Sequence, residues 1–158
     1  MHTFAIVVHA TSAVAAFIIG IVLLFQSTTL RQLQLGRAFL VLLILMEVFL
    51  VVAILSHVTS LQTITQIIFG ALVILGGYMI WRAVQAVIIL TQQNQADQLK
   101  VTDHVGFVLI SLFDGFAIVS ALDLGAPGWL IAVIAVVAVA IGIYAINVRK
   151  RTLKMQTL

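Results

Sequence analysis

The sequence predicts an all-α integral membrane protein: a bundle of five transmembrane helices with the N-terminus outside and the C-terminus in the cytoplasm. Three observations predict it. Apolar residues make up 63% of the 158 positions and charged residues only 8%, against roughly 25% charged in a soluble domain. Mean hydropathy is +1.27. Five apolar runs reach the ~20 residues needed to cross a bilayer, and the basic residues fall on one side of them.

The first expected span is Thr3 to Phe25, followed by a polar stretch from Gln26 to Arg37. The second is Ala38 to Thr59. A polar turn, Ser60 to Thr63, leads to the third, Ile64 to Leu90. A Gln-rich linker from Thr91 to Asp103 precedes the fourth, His104 to Leu122. The turn Asp123 to Gly128 holds the only proline and reads as a tight connection. The fifth span is Trp129 to Val148. Strand signals are weak, because the Val/Ile runs lack turns at hairpin spacing. The length suits one domain over residues 1–158. No cleavable signal peptide is expected, since no basic segment precedes a first run already long enough to span.

Orientation follows from charge. Arg31 and Arg37 lie between spans one and two, Lys100 between three and four, and Arg149, Lys150, Arg151 and Lys154 follow span five. Five spans put all of them on one side, which the positive-inside rule makes the cytoplasm of a bacterial-type inner membrane. This placement turns the net charge of +3 into a topology signal at an anionic membrane surface rather than a nucleic-acid footprint. Expected partners are therefore the lipid bilayer and a second copy or another membrane protein, with no nucleic acid. There is no cysteine, which excludes disulfides, thiolate metal sites and cysteine nucleophiles. Phosphate-binding glycine loops, HExxH and hydrolase elbows are missing, so the chain leans away from enzymes.

Glu47 and Asp114 each lie near mid-span. An ionised carboxylate there costs at least ~2.5–3.5 kcal/mol, so such residues face a partner, the bundle or water. The chemical reading is a proton relay or cation site. The plain reading is a hydrogen-bonded staple between helices. Spans two and four align when shifted by 67 positions: Val41, Leu42, Leu45, Phe49, Val52 and Leu55 fall on Val108, Leu109, Leu112, Phe116, Val119 and Leu122, and Glu47 falls on Asp114. A parallel repeat of two hairpins plus a fifth helix is one architecture with this pattern. Arg82, on span three, is a candidate partner for either acid. It competes with the reading in which Tyr78, Trp81 and Arg82 anchor the inner interface and Arg82 snorkels.

Of the four histidines, His2 is terminal and His104 opens span four. His9 and His57 both lie near the outer ends of their spans. On adjacent antiparallel helices they would present two imidazoles to one haem or metal. The small residues Ala13, Ala16 and Gly20, on the His9 face, suit a flat ring or close helix packing equally well.

The run from His9 to Ala16, the segment Leu35 to Phe39 after a short basic loop, and the pair Asp103–His104 resemble a group of uncharacterised bacterial multi-span proteins that look like small b-type membrane cytochromes. The likeness covers about the first two-thirds of the chain through short motifs. It implies haem b as cofactor. That family carries a histidine near the Leu-Gly-Arg segment, where this chain has Gln34, which leaves His104 the lone inner histidine.

Three functions are therefore expected to compete. One is proton- or cation-coupled transport or permeation through Glu47, Asp114 and Arg82. The second is electron transfer through haem held by His9 and His57. The third is a non-catalytic accessory membrane subunit.

Overall fold

A computed structural model describes residues 2–26, 29–56, 63–92 and 98–156. The described chain is five α-helices: α1 (His2–Phe25), α2 (Thr29–Leu55), α3 (Thr63–Thr91), α4 (Gln98–Asp123) and α5 (Gly128–Gln156). Each has 24 to 29 residues, or about 36–44 Å at helical rise. All five are long and apolar enough to cross a membrane.

Three helices run beyond the apolar spans. α2 starts at Thr29 rather than Ala38, α4 at Gln98 rather than His104, and α5 continues to Gln156, past Val148. The added residues are mostly Leu, Gln, Arg, Lys and Thr. Most of these are good helix formers, so the helix outlasts the hydrophobic slab. Hydropathy marks where lipid ends, and helix propensity marks where the helix ends.

α1 to α4 pack as a ring, each helix against its sequence neighbours, with α1 closing on α4. α5 lies outside the ring on α4. The core cluster is built from Ala16 and Leu23 of α1, Phe39, Leu43 and Met46 of α2, Met79 to Leu90 of α3, and Val101 to Leu109 of α4; no α5 residue belongs to it. Exposed apolar side chains surround the ring and cover most of α5. A helix apolar on every face, exposed in an isolated chain, is suited to lipid.

Small residues set the close approaches. A Cβ on Gly20 would come within 2.8 Å of Leu109 and 2.9 Å of Phe39, so α1 nests between α2 and α4 there. Gly106 and Gly142 do the same between α4 and α5, receiving Ile146 and Ile110. α4 ends at Asp123, and Gly125 just beyond it has a φ of 71°, the left-handed conformation favoured by glycine after a helix. Ala126 N–H then bonds Ala121 O at 3.0 Å. Pro127 precedes the first residue of α5, and its carbonyl accepts from Leu130 and Ile131.

Candidate functional site

Among the described residues, Glu47 is the one acidic side chain in the buried polar set, 8% exposed. Its position on α2 turns it toward α3, where Gly76 leaves room: a side chain on Gly76 would overlap the carboxylate. Neither Glu47 carboxylate oxygen has a hydrogen-bond partner among the described residues. Glu47 thus sits in the α2–α3 interface at the edge of the core cluster, since the buried α3 residues begin at Met79, one turn nearer the basic end.

His9 of α1 lies next to this point. Its Nδ1 is 2.9 Å from the carbonyl oxygen of Met46. A carbonyl only accepts, so Nδ1 carries a proton and donates. Ser12, buried and one turn further along α1, faces the same way. Met46 stands nine residues before Leu55, the end of α2, so His9 is held about 14 Å inward of that end. His57 lies outside the described residues.

Asp114 takes a different direction. Asp103, Phe107, Ile110 and Asp114 stand four, three and four residues apart, a single stripe on a helix. Asp103 pairs with Lys150 of α5, Phe107 meets Tyr78 and Arg82 of α3, and Ile110 covers Gly142 of α5. The stripe therefore looks out between α3 and α5, away from α1 and α2. Asp114 Oδ1 is buried without a hydrogen-bond partner among the described residues. No hydrogen bond or ion pair joins Asp114 to Glu47 among the described residues.

The depths of the two acids are close. Gln32 and Gln98, 66 positions apart, hold reciprocal amide bonds of 2.9 and 3.4 Å across the ring. Both helices run the same way from that link, which sets Glu47 level with Phe113, about 1.5 Å of rise from Asp114. The side-chain link was not foreseen. Its signal was present in the sequence, because the shift of 67 that aligns the acids nearly aligns these glutamines.

Arg82 reaches neither acid. Its Nη2 donates to the Asp103 carbonyl at 3.0 Å, and its guanidinium lies 5.2 Å from the Phe107 ring centroid. It belongs to a polar end formed by Gln32, Gln98, Asp103, His104, Arg149 and Lys150. There Arg149 donates to Leu24 O at 2.9 and 3.2 Å.

No protein-family model, curated protein or solved structure matches the chain. Among the described residues no three His, Asp or Glu side chains converge as a metal site. What the arrangement offers is a carboxyl between α2 and α3, unpaired among the described residues, with an imidazole bonded to the neighbouring residue's carbonyl and a packed apolar core on its basic side.

Proposed function

We propose that this chain moves protons, or a cation coupled to them, across a bacterial-type inner membrane, with Glu47 as the group that takes up and releases the proton. One observation carries the proposal: both carboxylate oxygens of Glu47 are buried within the apolar span of α2 and have no partner among the described residues. An unpaired charge in hydrocarbon is costly. Charge on Glu47 therefore requires water or a cation to reach it, and a dry site requires a proton. Protonation is thereby tied to which side of the bundle is open. The Gly76 notch lets α3 sit against the carboxyl without a side chain between them. Asp114, at similar depth on the α3–α5 face, supplies a second protonatable group, and Arg82 holds the inner end of α3 in place.

In this reading the N-terminus is outside and the C-terminus is cytoplasmic, with the basic end facing the anionic inner leaflet. The test is proton flux into liposomes carrying the purified protein and an internal pH dye. Glu47→Gln keeps shape and hydrogen-bonding capacity and is expected to abolish flux while elution volume and helicity stay as in the wild type. Flux unchanged in Glu47→Gln, or no wild-type flux under any imposed pH or cation gradient, rejects the proposal.

A further inference from the structure

We propose that the basic end of the α3–α4 face is a binding site for the phosphodiester headgroup of an anionic phospholipid, with Arg82 as its central cation. Three helices converge there. Arg82 comes from α3, Asp103 from α4 and Lys150 from α5. Lys150 Nζ lies 2.7 Å from Asp103 Oδ1, while Arg82 uses only the backbone carbonyl of Asp103. The carboxylate is thus committed to Lys150, and the positive charge of Arg82 is left without an acidic side chain among the described residues. A guanidinium has five N–H donors. One hydrogen bond of Arg82 is formed within the described chain, and its Nε is buried without a partner.

The surroundings select a lipid over a soluble anion. Arg82 lies over Phe107. Tyr78 meets Phe107 edge-on at 5.1 Å and 88° and packs on Trp81 at 5.4 Å. Trp81 is 51% exposed and Tyr78 42%, one turn of apolar ring surface running from the cation toward mid-span. That pairing of a cation on the basic side with aromatic surface running toward mid-span fits a phosphate at the cation and an acyl chain along the rings. Basic pockets between helices on the cytoplasmic side are where anionic headgroups bind.

Trp81 can report occupancy, because the chain has only two tryptophans. Trp129 opens α5, is 69% exposed, and lies about 31 Å of helical rise from Lys150. Trp129→Phe therefore leaves Trp81 as sole reporter without touching the site. In bilayers doped with brominated phosphatidylglycerol or brominated phosphatidylcholine, Trp81 fluorescence is expected to show about fivefold tighter apparent binding of the anionic lipid, the effect of one basic residue near an anionic surface. Arg82→Gln should erase the preference and Arg82→Lys should keep part of it. Arg151→Gln, which removes an exposed charge elsewhere on α5, should leave it unchanged. Equal quenching by the two lipids with Arg82 intact, an equal loss from Arg151→Gln, or displacement of the brominated lipid by inorganic phosphate overturns the proposal. None of these readouts depends on proton flux.

Discussion

At the scale of single residues, Gly76 and Glu47 are one unit. The glycine is tolerated inside a long helix, at about 1 kcal/mol relative to alanine, and the space it frees holds the carboxyl. Gly76→Ala would overlap Glu47 and push the carboxyl out of the α2–α3 interface. The expected outcome is a loss of flux comparable to Glu47→Gln, together with a melting temperature in detergent that falls or stays constant. Wild-type flux in Gly76→Ala would show that the cradle is not needed. His9 contributes differently. Its bond to Met46 O ties α1 to α2, so His9→Ala should lower stability by about 0.5–1.5 kcal/mol, the usual net value of a hydrogen bond. Thermal melts in detergent check this. The sequence made Glu47 visible because a charge inside an apolar run is conspicuous. It could not name Gly76 as its neighbour, because nothing in composition says which face of α3 meets which face of α2.

At the scale of helices, five apolar runs announced five helices, since length and hydropathy are local properties. Their ends were less legible, because Gln, Arg and Lys continue a helix as readily outside lipid as apolar residues do within it. The direction of Asp114 was partly legible. Its place near the middle of an apolar run was readable, but the face it occupies could have met any neighbour. The structure gives it to the α3–α5 groove through Phe107 and Ile110. α5 itself depends on close approach more than on burial: Gly142 receives Ile110, and Gly106 receives Ile146. Gly142→Leu should loosen α5 from α4 while the ring of α1 to α4 stays assembled. Faster proteolysis in the turn before α5, with α1–α4 protected, is the expected readout. Unchanged proteolysis would show that the glycine contact does not hold α5.

At the scale of the whole molecule, polarity is arranged along the membrane normal. Gln32 with Gln98, Arg82 with Asp103, Lys150 with Asp103, and Arg149 with Leu24 all lie at one end. The same ends of α2, α4 and α5 also carry Arg31, Arg37, Lys100, Arg151 and Lys154, whereas residues 56–63 and 124–128 carry no Lys or Arg. Lys and Arg flanking short loops are retained on the cytoplasmic side, where they meet anionic lipid at about 1 kcal/mol each. All eight basic residues thereby lie at that end. An inverted insertion would have to translocate every one of them. In a bacterial host, a reporter active only in the cytoplasm should therefore work when fused after Leu158. A tag placed before Met1 should be open to an impermeant label in intact cells. A C-terminal reporter active only outside would reverse the orientation. The end of the bundle beyond Glu47 and His9 would then face the cytoplasm, and the direction of proton uptake would reverse with it.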